Sequence, residues 1–282
     1  CDGSPAITFS DVITMGMGSN FTITRTWTAT DANANASNCV QVITVEDTTP
    51  PMANCAAPLT VQLDASGNVS LDPSQINNGS IDNCGDITLT VSPDSFTCAD
   101  IGPNMVTLTV TDENGNSSSC TTTVTVEDSL PPAMVCQDIT VQLDATGNVS
   151  ITPASIDGGS TDNCGIASIT ASPTDFTCED VGPNNVTLTI TDVNGNSNTC
   201  TAIVTVEDTI DPIAVCQDIT IQLDANGNAS IVATDVDGGS TDNCETLALS
   251  LDIDTFNCAN VGPNDVVLTA TDISGNSSSC VA

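Results

Sequence analysis

Residues 107–128 read TLTVTDENGNSSSCTTTVTVED and align without a gap on residues 26–47, TWTATDANANASNCVQVITVED. Both arms alternate apolar and polar residues with a period of two, which is the pattern of a strand with one buried face. In MVTLTVTD, Val106, Leu108 and Val110 fall on one face and Thr107, Thr109 and Thr111 on the other. The link between the arms, TDENGN at 111–116, has two readings. Its D-x-N-x-N spacing sets oxygen ligands at alternate positions, as the first half of a calcium loop does. The same residues also make an ordinary tight turn.

Working outward, the stretch is one part of an internal repeat. Cys84, Cys164 and Cys244 are spaced by 80 residues, as are Cys98, Cys178 and Cys258, and Cys120, Cys200 and Cys280. Cys55, Cys136 and Cys216 are 81 and 80 apart. Each unit runs C, two or three residues, (I/L)-T-(V/I)-Q-L-D-A-x-G-N, then D-N-C, then C-x-(D/N)-(I/V)-G-P-N, then T-D-x-x-G-N-x-x-x-C. Residues 1–48 read as the C-terminal part of a repeat, with Cys1 at the position of Cys84. Residues 49–129 and 130–209 read as complete repeats, and 210–282 as a repeat lacking its last strand, so the chain is expected to be a segment of something longer. About six short strands per unit, with LDASGN, LDATGN and LDANGN as hairpin turns, predict an all-β fold. The expectation is tandem immunoglobulin-like β-sandwich repeats, arranged as beads on a rod and stapled by disulfides.

Composition narrows the function. Thirty-six acidic residues stand against one basic residue, Arg25, giving a net charge of −35 without any histidine. Such a charge excludes nucleic acid and anionic membrane surfaces as natural partners and calls for counter-ions. Fourteen regularly spaced cysteines without histidine read as disulfides in an oxidising, extracellular compartment rather than as zinc sites. No run of 18 apolar residues is present, so direct membrane insertion is not expected. Aromatic residues make up only 2% of the chain, which leaves small aliphatic cores of the kind that commonly need disulfides or metals.

The motif string, with TDNCG, TRTWTATD and VEDTTPP, resembles the hyalin-repeat (HYR-like) immunoglobulin-type domain. In this form it is similar to the tandem repeats of very large Bacteroidota surface proteins, including gliding-motility adhesins. The resemblance implies bridges between first and last cysteines, Cys55–Cys120, Cys136–Cys200 and Cys216–Cys280. It leaves Cys84–Cys98, Cys164–Cys178 and Cys244–Cys258 as closures of short loops. Residues 1–48 have no counterpart of Cys98, and a Cys1–Cys39 bridge would suit a rival connectivity. The resemblance also implies possible O-glycosylation at Thr48, Ser129 and Thr209, in DTT, DSL and DTI.

An up-and-down strand order brings three acidic segments together at each boundary between repeats. At the first these are Glu46 and Asp47, Asp82 and Asn83, and Asp112 with Asn114 and Asn116. The second has Glu127 and Asp128, Asp157 and Asp162, and Asp192 with Asn194. At the third are Glu207 and Asp208, Asp237 and Asp242, and Asp272. Several carboxylates without a nearby cation repel one another unless neutralised. Calcium, which takes six to eight oxygen ligands, answers that need. The plain alternative is that Asp and Asn only make turns while water and sodium screen the rest.

Near-identical repetition, with no unit set apart by special chemistry, points to a structural stalk or spacer in a secreted surface adhesin or filament. Its expected partners are neighbouring repeats of the same chain and, in a filament, other copies of itself. A glycan- or protein-binding module acting through its loops is the alternative, and it asks for exposed aromatics or an atypical loop. An enzyme would have only carboxylate pairs to work with, and recurring turn aspartates are not a unique acid/base pair.

Overall fold

The computed structural model describes residues 4–282; Cys1, and with it any Cys1–Cys39 bridge, lies outside the described residues. The chain divides into two units, one ending at Leu130 and the other beginning at Pro131. In the first unit, Leu59–Gln62, Ser117–Glu127, Gly102–Asp112 and Ile87–Ser92 form a four-stranded sheet in that order. A shorter pair, Asn68–Ser70 with Ser95–Thr97, and the helical turn Pro73–Ile76 complete the structure around the core. Val106, Leu108, Val110, Val124 and Val126, the apolar positions of the alternating arms, are fully buried, together with Ile76. Phe96 from the short pair is 2% exposed. The intervening Thr107, Thr109 and Thr111 remain half-exposed, because successive strand residues point to opposite faces.

Residues 131–209, in the second unit, repeat this plan. The sheet order is Ile139–Gln142, Ser197–Glu207, Gly182–Asp192 and Ile166–Ser172, with Asn148–Ser150 paired to Asp175–Thr177. Its core is built on Leu143, Ile156, Phe176, Val186, Leu188, Ile190, Val204 and Val206. Farther along, Leu247–Leu251, Val267–Asp272 and Ser277–Val281 form a three-stranded sheet over Ile231, Val236, Phe256, Val266 and Leu268.

The first strand of each four-stranded sheet pairs in parallel with the end of the last strand, as in Leu59↔Val124 through Gln62↔Glu127. This pairing splits the expected hairpin. In LDASGN the Asp64 carboxylate accepts the backbone N–H groups of Ser66 and Asn68, and Gly67 turns the chain at φ +74°. The turn therefore closes, but its two arms join different sheets. The same Asx chemistry recurs in TDENGN, where Asp112 Oδ1 accepts the N–H groups of Asn114 and Asn116.

The N-terminal residues form an antiparallel sheet of Ala6–Met15, Phe21–Thr30 and Ala36–Val45 whose residues are exposed or half-exposed. Arg25 and Trp27 occupy the positions that Val106 and Leu108 hold in the next repeat. Arg25 makes two hydrogen bonds to Asp11, both 2.8 Å, and lies 4.1 Å from the centroid of the Phe9 ring.

Three disulfides, Cys55–Cys120, Cys136–Cys200 and Cys216–Cys280, link the first and last cysteines of their repeats. The three expected short closures are corrected. Cys178 bonds to Cys244, which excludes both Cys164–Cys178 and Cys244–Cys258. Cys84 and Cys258 are free and exposed, as is Cys39, which excludes Cys84–Cys98. Cys98 and Cys164 are themselves disulfide-bonded. The physical reason is strand length. Between Cys164 and Cys178 runs the seven-residue strand Ile166–Ser172, which separates its ends by roughly 20 Å. A disulfide tolerates a Cα separation of only about 7 Å. Cys178 thus sits at the far pole of its own repeat and meets the D-N-C loop of residues 242–244 there.

Candidate metal sites

In the first unit, Asp47, Asp82 and Asp112 each contribute a carboxylate oxygen to a group whose members all lie within 4.8 Å of one another. Asp47 follows Ala36–Val45, Asp82 lies in the D-N-C loop, and Asp112 ends Gly102–Asp112. Each has one local task. Asp47 Oδ1 accepts the N–H of Thr49 (3.0 Å), and Asp82 Oδ2 accepts that of Cys84 (2.7 Å). The second oxygens, Asp47 Oδ2 and Asp82 Oδ1, are buried without a hydrogen-bond partner in the protein. Asp112 is 5% exposed, and its Oδ2 accepts from Asn116 Nδ2 (2.8 Å). Burial is the largest single influence on this carboxyl and opposes ionisation. Hydrogen bonds from the side chain of Asn116 and from the backbone of Asn116, Asn114 and Gly115 outweigh it and hold the group below the usual carboxylate range.

The second unit repeats the arrangement at Asp208 and Asp242, whose carboxylate oxygens lie within 4.8 Å of each other and of Cys244 Sγ. Because Cys244 is oxidised, its sulfur is not a thiolate ligand. Asp208 is 5% exposed; its Oδ1 accepts from the N–H of Ile210 and from Asn243 Nδ2 (3.1 Å). Asp242 Oδ2 accepts the N–H of Cys244 (2.9 Å). Three oxygens here, Asp208 Oδ2, Asp242 Oδ1 and Asn243 Oδ1, are buried with no protein partner. An amide clamp holds both sites in the same way. Asn116 Nδ2 donates to the carbonyl of Asp47 (3.1 Å), and Asn276 Nδ2 donates to that of Asp208 (3.0 Å).

Of the remaining expected ligands, Asp162 and Asp192 of the second unit also bring carboxylate oxygens within 4.8 Å of each other, and the others have local partners or lie outside the acidic groups. Asn114 bonds to the N-terminal hairpin, accepting from the N–H of Ser19 and donating to Ser19 Oγ and Asn20 Oδ1. Gly18, at φ +59°, permits that approach, since a Cβ there would lie 2.0 Å from Asn114 Oδ1. Glu127 and Glu207 accept from Gln62 and Gln142, their partners in the parallel register. Glu46 and Asn83 are exposed and lie outside the acidic group. Asp157 and Asp237 cap their own loops through Ser160 and Ser240. Asp272 closes its own turn by accepting from Gly275 and Asn276, apart from the Asp208–Asp242 group. Asp162 Oδ1 accepts from the N–H groups of Cys164 and Gly165, and Asp192 from those of Asn194 and Asn196. Asp128 belongs to the first unit, where its Oδ1 accepts the N–H of Leu130. Sequence reasoning missed Asn243. The signal was present, since the asparagine of D-N-C recurs in each repeat.

Hard oxygen donors without a thiolate or an imidazole suit calcium better than zinc. The fold and its bridges define a disulfide-linked, extracellular all-β repeat protein. Residues 46–126 match the HYR domain family. Hyalin of Strongylocentrotus purpuratus is 32% identical over 213 residues, covering 71% of this chain and 17% of hyalin. The chain carries HYR-like repeats and spans 17% of the length of that relative. Among solved structures, it is similar to the protocadherin gamma B7 extracellular domains 1–4, at 14% identity and a TM-score of 0.32, covering 99% of this chain and 91% of that one. It is also similar to Drosophila N-cadherin EC1-4, at 14% identity and a TM-score of 0.33, covering 98% and 90%. Among the described residues, no helix is long and apolar enough to cross a membrane.

Proposed function

We propose that this chain is a stalk segment of a large secreted surface adhesin or filament of the Bacteroidota type that its motif string resembles. Calcium and disulfides stiffen it at the boundaries between repeats. The observation that carries the reading is the recurrence of one acidic group in both units, each with buried carboxylate oxygens that no protein donor reaches. A bare buried carboxylate oxygen is costly, and two carboxylates at this separation repel. A cation bound between them removes both penalties and ties the end of one repeat to loops of the next. The Cys178–Cys244 bond supports the same role, because it joins residues 130–209 to 210–282 covalently. Thr48, Ser129 and Thr209 are exposed and open to the proposed O-glycosylation, which an intact mass of the secreted protein checks.

Calcium titration with scattering and calorimetry tests the proposal. Addition of calcium should raise the melting temperature and narrow the distribution of end-to-end distances, and a chelator should reverse both. If neither quantity moves, the calcium-stiffened stalk is wrong.

A further inference from the structure

Unlike that of the first unit, the acidic group of the second unit includes a D-N-C loop that is also the end of a disulfide. Cys244 bonds to Cys178, with Cα atoms 5.5 Å apart. The equivalent Cys84 is free, since the N-terminal hairpin offers no cysteine at the matching place. Resting on the calcium reading above, we propose that the Cys178–Cys244 disulfide and cation binding at Asp208, Asp242 and Asn243 are coupled, each stabilising the other. The first site, at Asp47, Asp82 and Asp112, lacks this control.

The coupling follows from shared parts. Asp242, Asn243 and Cys244 are consecutive, and the N–H of Cys244 is donated to Asp242 Oδ2. Across the boundary, Asn243 Nδ2 donates to Asp208 Oδ1 (3.1 Å) and to the carbonyl of Asp144 (3.4 Å). Gly147 allows the close approach, because a Cβ there would meet both Asn243 O and Cys178 Sγ at 2.7 Å. While the disulfide is closed, the loop is pinned and the three bare oxygens stay together without a cation. When it is open, the Asn243 amide hydrogen bonds and the backbone bridge between Ile213 and Thr241 are left to oppose the repulsion between Asp208 and Asp242, so a cation must gather its ligands at a larger entropic cost. Conversely, a bound cation holds the loop in place and keeps the two thiols at high effective concentration for re-closure. Linkage requires that the factor by which oxidation tightens cation binding equal the factor by which the cation favours the disulfide.

The test equilibrates the whole chain in buffers of a dithiol and its cyclic disulfide, with saturating calcium or with a chelator. Each reduction transfers two electrons and two protons from the dithiol to the Cys178–Cys244 bond, yielding two cysteine thiols and one cyclic disulfide. Alkylation and peptide mass mapping read every bridge separately. The expected result is that calcium shifts the Cys178–Cys244 equilibrium about tenfold towards the disulfide, within the range usual for coupled sites. The intra-repeat bridges Cys136–Cys200 and Cys216–Cys280 should shift less than twofold, and Asp208→Asn should abolish the effect. A calorimetric calcium isotherm on the same samples separates the outcomes. If calcium binds and the Cys178–Cys244 equilibrium does not move, the coupling is refuted and the calcium reading stands. If calcium does not bind, both fall.

Discussion

Replacing Asp208 with Asn should change stability in opposite directions with and without calcium. The substitution keeps the shape and retains an Oδ1 to accept from Ile210 and Asn243. It replaces the bare Oδ2 with an amide that can donate towards Asp242. At the 4.8 Å limit of separation, two unit charges repel by about 3.5 kcal/mol at an effective dielectric constant of about 20, and by about 0.9 kcal/mol in bulk water. Asp208 is only 5% exposed, so the relevant value lies between these limits. In a chelator, the variant should therefore be about 1–3 kcal/mol more stable than the wild type. For a unit of about 150 residues this raises the melting temperature by roughly 3–10 °C. In calcium the order reverses, because the wild type gains about 2.7 kcal/mol at a hundredfold excess over the dissociation constant and the variant, short of one charged ligand, gains less. Calorimetric melting of both proteins in both buffers reads all four values. A variant that melts lower than the wild type in chelator would refute the reasoning, since it would show that the carboxylates are not in unrelieved repulsion.

Further predictions concern glycines and turn carboxylates. Gly147→Ala should cost roughly 1–3 kcal/mol and, in a dithiol buffer, increase the fraction of Cys178 and Cys244 that is reduced and alkylated, since strain at φ +74° adds to a clash with backbone and sulfur. Gly79→Ala, at φ +76° with open space around it, should cost only the strain, about 1–2 kcal/mol. Asp64, Asp144 and Asp224 are held below the ordinary carboxylate value of 3.8, Asp64 and Asp224 first by the N–H groups of Asn68 and Asn228, and Asp144 first by the Thr146 hydroxyl. Their contribution is full above that value and disappears as pH falls through the lower folded values. Urea midpoints should thus decline below about pH 4, and Asp144→Asn should flatten the decline for the second unit.

Much of the fold was legible because it rests on short-range chemistry. The alternation of Val106, Leu108 and Val110 with Thr107, Thr109 and Thr111 assigned the strand and its buried face, since the pleat has a period of two. Asp and Gly at fixed offsets in LDASGN and TDENGN marked turns, because a carboxylate accepts a backbone N–H two to four residues on once the glycine turns the chain. TDENGN is a turn, and only its Asp112 also joins an acidic group. Of the proposed ligands, Asp47, Asp82, Asp208 and Asp242 come together with buried oxygens to spare. Asn114 and Asn116 resemble them in sequence, but they spend their amides on the hairpin and on the Asp47 carbonyl.

What the sequence determined by itself was the repeat, the period of its strands, the positions of its turns and an acidic surplus needing counter-ions. Tertiary structure alone decided where the inner cysteines go, that first and last strands run parallel, and that Glu127 and Glu207 accept hydrogen bonds from Gln62 and Gln142. The reason is one of distance. A turn or a strand face is set by residues a few positions apart. Whether Cys178 finds Cys164 or Cys244 depends on which pole of a sandwich each loop occupies, and spacing along the chain is silent on that.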